Sequence, residues 1–319
     1  MFSSEDPIKL RESLAPIEFS GTSNLGEIAQ AYCQHYGLRF DQNLQLESHR
    51  IGTLRSRKFD LVCQYFSVPL YLQRGTVFLV HGYFDHAGLY GHLIKHCLQQ
   101  GLAVIIFDLP GHGLSSGEKA RIESFTHYSD ALLRVISEAD CQQVNKPWYT
   151  IGQSTGAATI IDAVIEKKFP FEDFDHSVLL APLVYPRHWS RSRIFFSLLR
   201  WFVSSTRRNF AANSHDQEFL EFLRNNDPLQ SRRLPRDWVL AMIDYQNRLK
   251  RFSTIDYAVS IIQGTDDGTV DWGRNIKLLE TKFSGAKTYL INGGRHHLVN
   301  ESRELRDAVF SLIDQAIAL

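Results

Sequence analysis

The stretch WYTIGQSTGAATIIDAVIEKK, residues 148–168, changes its hydrophobic period in the middle. Up to Gln153 it is a short apolar run of β-branched and aromatic residues, as a strand buried on both faces would be. From Ala157 onward it follows a helical pattern. Between the two lies Gly152-Gln153-Ser154-Thr155-Gly156, which has to turn the chain sharply. A serine at a strand-to-helix turn is forced into strained backbone geometry, and flanking glycines let the backbones approach closely. Its hydroxyl then stands clear of the sheet, at a helix N-terminus that favours developing negative charge.

Outward from this turn the chain alternates. Eight extended runs stand out, at 46–54, 57–66, 75–81, 102–108, 148–153, 177–182, 257–263 and 286–292. The first two suit an antiparallel hairpin at a sheet edge. The other six, among them TVFLVHG, AVIIFDL and SVLLAP, are continuous apolar runs of the kind that build parallel sheets. Helical spacing joins Leu132, Leu133, Val135 and Ile136, then Ile276, Leu279 and Phe283, then Leu305, Val309, Leu312 and Ala316. A further helix is expected near the N-terminus from Leu25, Ile28, Ala29, Tyr32 and Tyr36, with Gly37 at its end. Such alternation implies an α/β fold with right-handed crossovers. One interval breaks the rhythm: residues 183–256 show only helical patterns, too long for a loop. The expected organisation is a core of 1–182 and 257–319, with 1–45 as an N-terminal extension bearing a helix, and 183–256 as an inserted helical cap.

Composition narrows the function classes. The 319 residues carry 35 basic and 35 acidic side chains, with 44% hydrophobic and 22% charged content. This excludes a disordered polyelectrolyte and a globally basic nucleic-acid binder. No secretory signal is visible in MFSSEDPIKLRESLAPIEFS, and no apolar stretch approaches the length of a membrane span. Cys33, Cys63, Cys97 and Cys141 lie far apart without a CxxC pair, which fits reduced thiols and a cytoplasmic location.

A serine at its ordinary pKa is a weak nucleophile. It needs a base, and the base needs an orienting carboxylate. Gly264-Thr265-Asp266-Asp267-Gly268 follows the seventh run and Gly293-Gly294-Arg295-His296-His297 the eighth. Both loops fall at strand C-terminal ends, on the sheet edge that carries Ser154. An aspartate or histidine alone would be a turn former or a surface residue; in the order serine, acid, histidine they converge on one crevice. The oxyanion donors expected are the backbone N–H groups of Thr155 and of Tyr83, in His81-Gly82-Tyr83-Phe84-Asp85-His86. His81, His86, His92 and His96 lack an accompanying thiolate or HExxH motif, so they read as structural and no metal is expected. Asp108-Leu109-Pro110-Gly111-His112-Gly113, with Gly117, imitates a dinucleotide loop. Its spacing is G-x-G-x-x-x-G and no ribose-binding acid follows, so NAD is excluded and no cofactor is expected.

These residues carry a family resemblance. The segments HGYFDHAGLY, FDLPGHGLS, GQSTGA, NNDPL, QGTDDGTVD and GGRHHLVNE resemble the α/β-hydrolase superfamily. Within it they are similar to the monoacylglycerol lipase and lysophospholipase branch, also called serine aminopeptidase S33-like. The resemblance implies an eight-stranded, mostly parallel sheet with helices on both faces and a helical cap after strand 6. It implies Ser154 as nucleophile, Asp267 rather than Asp266 as acid, His296 rather than His297 as base, and Tyr83 with Thr155 as oxyanion hole. It also implies cofactor-free hydrolysis of a lipid or other carboxylic ester. The chain departs from the branch pattern at Gln153 (usually His), at Thr155-Gly156-Ala157 (usually Met-Gly-Gly) and at Asp85 (usually Glu). None of these removes a catalytic group; they alter the lining of the acyl pocket.

Within the insertion, residues 185–210 hold six arginines (187, 191, 193, 200, 207, 208) and no lysine or acid, interleaved with aromatic residues. Arg193, Ser197, Arg200, Ser204 and Arg207 fall on one helical stripe. Ile194, Phe195, Leu198, Leu199, Trp201 and Phe202 form a wide apolar face. Such a helix could pack over the crevice, with Trp189, Phe195, Leu198, Trp201 and Phe202 lining a substrate path. It could also dock on an anionic membrane. Two alternatives to a lipid esterase stay open: an aminopeptidase or amidase using Asp216, Glu218 and Glu221 for an amine, and a catalytically silent ligand-binding protein. The sequence does not fix the oligomeric state.

Overall fold

The computed structural model describes residues 2–3, 5–23, 25–40, 44, 46–166, 168–199, 203–208 and 210–317. Its strands are β1 (Ser48–Ser56), β2 (Phe59–Ser67), β3 (Gly75–Val80), β4 (Leu102–Phe107), β5 (Trp148–Gln153), β6 (Phe174–Leu180), β7 (Ser205–Arg207), β8 (Arg233–Pro235), β9 (Val259–Gly264) and β10 (Lys287–Ile291). Eight of them form one sheet in the order β1-β2-β4-β3-β5-β6-β9-β10. The hairpin of β1 and β2 occupies one edge, β2 runs antiparallel to β4, and from β4 to β10 every pairing is parallel.

The helices are α1 (Asp6–Ser13), α2 (Glu27–His35), α3 (Gly91–Gln99), α4 (Thr126–Cys141), α5 (Thr155–Ile165), α6 (Trp189–Leu199), α7 (Gln217–Glu221), α8 (Arg236–Arg251), α9 (Trp272–Lys282) and α10 (Arg303–Ala316). The sheet is covered on both sides, which explains why its strands are apolar without alternation. Phe78 and Val80 of β3 join a core with residues of α4, α5 and α9, whereas Val77 and Leu79 join α2, α3 and α10 on the opposite face. All four are fully buried, each contributing about 2 kcal/mol.

Three features depart from the expectations. The interval 183–256 is not wholly helical, because β7 and β8 pair as an antiparallel ribbon. Three-residue strands are too short to carry a period, and their pairing joins distant segments. The ribbon also ends the expected arginine stripe, since Arg207 lies in β7 rather than on a continued helix. The N-terminal extension holds two helices; α1 buries only Leu10, so it shows no apolar face to read. The second, α2, ends as expected before Gly37, whose φ of +67° lies in the left-handed region.

The glycine-rich loop after β4 has a structural purpose. Asp108 is fully buried, and its carboxylate accepts N–H bonds from Ala87 (2.7 Å) and Leu114 (2.7 Å). This ties the loop to the turn after β3. A Cβ on Gly113 would lie 2.2 Å from Asp108 Oδ2, so a glycine is required there by the aspartate and not by a phosphate. The four cysteines are unpaired, Cys33, Cys63 and Cys97 buried and Cys141 exposed. Among the described residues no helix is long and apolar enough to cross a membrane.

Candidate active site

Ser154 sits between β5 and α5 with φ +55° and ψ −107°. A non-glycine residue held there stores about 1–3 kcal/mol of strain. The surrounding backbone enforces it: Ser154 N–H donates to Leu180 O (2.8 Å), and Ser154 O accepts from Ala158 (3.0 Å) and Leu183 (3.2 Å). The turn also brings α5 against β3, and a Cβ on Gly156 would lie 1.9 Å from Val80 O. Only glycine fits.

His296 reaches Ser154 from the loop after β10. Its Nε2 is 2.9 Å from Ser154 Oγ, and its Nδ1 is 2.7 Å from Asp267 Oδ2. With Nδ1–H donating to the carboxylate, Nε2 is left to accept the serine O–H. Burial pulls the His296 pKa down, but the Asp267 charge and hydrogen bond outweigh it and raise the pKa above the ordinary 6.5. Asp267 responds in the opposite sense: burial pushes its pKa up, and His296 with the other hydrogen bonds brings it below the usual value.

The two paired choices have a visible physical basis. Asp267 is buried whereas Asp266 is exposed. Asp267 Oδ1 accepts from the backbone N–H of Thr269 (2.7 Å) and Val270 (3.1 Å), and Oδ2 accepts from Gln263 Nε2 (3.0 Å). His297 points elsewhere, its Nε2 lying 3.0 Å from Asp85 Oδ2. Tyr90 O–H also donates to Asp85 Oδ2 (3.2 Å) and receives a bond from Gly82 N–H (2.9 Å), so Asp85 helps hold the loop that carries Tyr83.

Several positioning residues were not singled out for these contacts in the sequence. Gln153 Nε2 donates to His296 O (2.9 Å), bracing the histidine from the position where the branch usually has His. Gln263 supports Asp267. Glu301, fully buried, accepts from the backbone N–H of Arg295 (2.7 Å) and of His215 (2.9 Å). A polar residue inside an apolar strand, such as Gln263, is the one signal that could have pointed to them.

A cavity of about 270 Å³ opens beside these groups, lined among others by Tyr83, Ser154, Thr155, Arg208, Trp238 and His296. Tyr83 is fixed, its O–H donating to Ala120 O (2.7 Å) and its ring stacked on Trp238 at 3.9 Å. Leu183, Leu220, Leu223 and Leu234 add an apolar wall. Of the cap candidates, Trp189 is buried, donates its ring N–H to Gln246 Oε1 (2.9 Å) and does not line the cavity. The side chains of Phe195 and Leu198, and the whole of Trp201 and Phe202, lie outside the described residues.

The histidines near β3 and α3 are engaged separately. His81 Nε2 accepts from Leu109 N–H (2.8 Å), His86 Nε2 lies 3.0 Å from Asp227 Oδ2, and His96 Nε2 lies 2.7 Å from Asp314 Oδ1. His92 is on α3, beside a separate surface groove. Among the described residues no group of three or more potential ligands could hold a metal ion.

A serine hydrogen-bonded to a carboxylate-oriented imidazole, beside two candidate N–H donors, can carry out acyl transfer. Comparisons with known proteins point the same way. A family model described as serine aminopeptidase, S33, matches residues 72–303. The monoglyceride lipase of Homo sapiens is 25% identical over 267 residues, covering 81% of this chain and 86% of that protein. A monoglyceride lipase homolog of Monkeypox virus is 22% identical over 259 residues, covering 80% and 92%. Among solved structures, a soluble variant of monoglyceride lipase from Saccharomyces cerevisiae, in complex with a substrate analog, superposes with a TM-score of 0.72 at 18% identity. It covers 84% of this chain and 94% of that one.

Proposed function

The chain belongs to the serine aminopeptidase S33 family and is a carboxylic ester hydrolase, and from that premise we propose that it cleaves a lipid-type ester through Ser154, His296 and Asp267. The observation that carries this reading is the continuous relay Ser154–His296–Asp267, with links of 2.9 and 2.7 Å. His296 Nε2 takes the Ser154 proton as Oγ attacks the ester carbonyl. The Tyr83 and Thr155 N–H groups stabilise the resulting oxyanion. His296 then protonates the leaving alcohol, and an acyl-enzyme remains. Water, deprotonated by the same nitrogen, releases the acid and restores the serine. Throughout, Asp267 holds the imidazole tautomer and stabilises the imidazolium.

The apolar wall supports an acyl chain as the bound group. At about 270 Å³ the cavity lies just below the range of roughly 300–1,000 Å³ usual for ligand sites, so a long chain would extend through its mouth. We treat residues 183–256 as the unit that covers the site, since Arg208, Leu220, Leu223, Leu234 and Trp238 all come from it. Exposed Ile194, beside exposed Arg191 and Arg193, supports α6 as the part that would meet a lipid surface. An aminopeptidase finds less support. Asp216 is engaged as the N-cap of α7, Glu218 and Glu221 are exposed, and none of the three lines the cavity.

The direct test is an ester panel spanning short 4-nitrophenyl esters, monoacylglycerols and lysophospholipids. Hydrolysis of members of this panel is the expected result; no turnover at any acyl length would leave a silent binding protein. The pH dependence supplies a second check. The base must be neutral to accept the serine proton, so kcat/KM should fall as pH drops through the His296 pKa, which lies above 6.5. The expected profile has a single-proton acid limb, tenfold per pH unit at its steepest. A rate that stays flat well below pH 6.5 contradicts His296 as the base.

A further inference from the structure

The cavity wall contains a cation that ester hydrolysis does not require. Arg208 follows β7, lines the cavity with Ser154 and His296, and is largely withdrawn from water. Its guanidinium is held between two rings, 4.1 Å from the Phe84 centroid and 4.4 Å from that of Phe210. Both hydrogen bonds it makes to described residues leave from Nη1, to Gln230 Oε1 and Ser231 O. No described carboxylate forms an ion pair with it. Burial pulls its pKa down to about 10, so it remains charged at neutral pH.

The surrounding charges do not neutralise it. The carboxylates whose fields reach it are Asp85 and Asp227. Asp85 lies against His297 and Tyr90, while Asp227 is held by His86 (3.0 Å), Tyr36 (2.8 Å) and Gln230 (2.8 Å). A second arginine, Arg224, also lines the cavity, and Arg232 lies 5.6 Å over the Phe210 ring. A charge taken from water without a partner is costly, so it is retained where a partner arrives. Two aromatic rings lie against the guanidinium, while Nε and Nη2 make no hydrogen bond to a described residue. That is the fork that binds a carboxylate or phosphate.

We propose that Arg208 is a specificity-determining residue and that the ester cleaved at Ser154 carries an oxyanion, a carboxylate or a phosphate, which its guanidinium binds. This rests on the ester-hydrolase reading and narrows it from neutral esters to anionic ones. Neutral acylglycerols become the poorer substrates.

Two substrate pairs test the proposal and locate the charge. On the alcohol side, 1-octanoylglycerol is compared with 1-octanoylglycerol 3-phosphate; on the acyl side, 4-nitrophenyl pentanoate with mono-4-nitrophenyl glutarate. In at least one pair the anionic member should have the higher kcat/KM, by roughly 10- to 100-fold, the range of a charge-assisted hydrogen bond. Arg208→Gln should bring that ratio close to one, mainly through KM, and Arg208→Lys should restore part of it. If the wild type shows no anionic preference, or Arg208→Gln slows both members of each pair equally, Arg208 is a structural staple and the proposal falls while ester hydrolysis stands. If neither pair is turned over, nor any member of the wider ester panel, the ester-hydrolase reading falls with it; turnover in the wider panel without either pair overturns the proposal alone.

Discussion

Ser154→Ala should reduce kcat by about a million-fold and abolish labelling by a fluorophosphonate probe, because the atom proposed to form the acyl bond is gone. The loss should come without unfolding, since among the described residues the Ser154 Oγ hydrogen-bonds only to His296. A companion variant separates chemistry from stability. The φ of +55° and ψ of −107° at this position suit glycine far better than any residue with a Cβ. Ser154→Gly should therefore be as inactive as the alanine variant yet more stable than wild type by about 1 kcal/mol, read as a raised urea midpoint. Retained labelling in Ser154→Ala would remove Ser154 as the nucleophile. A glycine variant less stable than wild type would show that the turn is not strained.

The second large effect is expected from Asp267→Asn, and the local hydrogen bonds dictate its mechanism. Two backbone N–H groups, from Thr269 and Val270, point at Oδ1. An asparagine would turn its carbonyl oxygen toward them, which puts its NH2 where Oδ2 now faces His296. The Nδ1 of His296 would then have to accept, leaving the ring proton on Nε2, the nitrogen that must receive the serine proton. On the pattern of other serine hydrolases this costs about 10⁴-fold in kcat. Loss of the carboxylate also removes the charge that raises the His296 pKa, so the acid limb of the pH profile should move to lower pH. Stopped-assay kinetics across pH, with circular dichroism to confirm folding, provide the check. A loss below tenfold with an unmoved acid limb would exclude Asp267 as the orienting acid.

The legible parts of this molecule are those where burial leaves a periodic trace. The strands β3 to β6 lie under helices on both faces, so their apolar runs were readable, as was the strand–Ser154–helix turn. Asp267 and Asp266 could not be told apart on residue type; the family pattern chose between them. The physical difference is the set of amide donors beneath Asp267, which belongs to a turn and leaves no composition signal. Arg208 shows the limit most plainly. Composition announced an arginine-rich segment, and helical spacing put Arg193, Arg200 and Arg207 on one polar stripe without giving Arg208 a place. The backbone instead pairs Ser205–Arg207 with Arg233–Pro235, and the next residue turns into the cavity. The direction of that side chain depends on a partner strand no local window contains.

The loop that presents His296 is sewn to the inserted segment on several threads. His297 N–H donates to Asn213 O (2.8 Å), Arg295 Nη1 to Ser214 O (2.8 Å), Ser214 Oγ to Asn300 O (2.6 Å) and His215 N–H to Glu301. The insertion is thus not a detachable roof. A minimal enzyme cut back to its sheet would lose the scaffold of the histidine we propose as its base. A chimera that borrows another relative's insertion would inherit a misaimed imidazole unless Arg295 and Glu301, whose side chains make these contacts, were exchanged along with it. Natural divergence faces the same linkage, so this stretch and the histidine loop have to drift as one module, while the exposed face of α6 is free to vary alone.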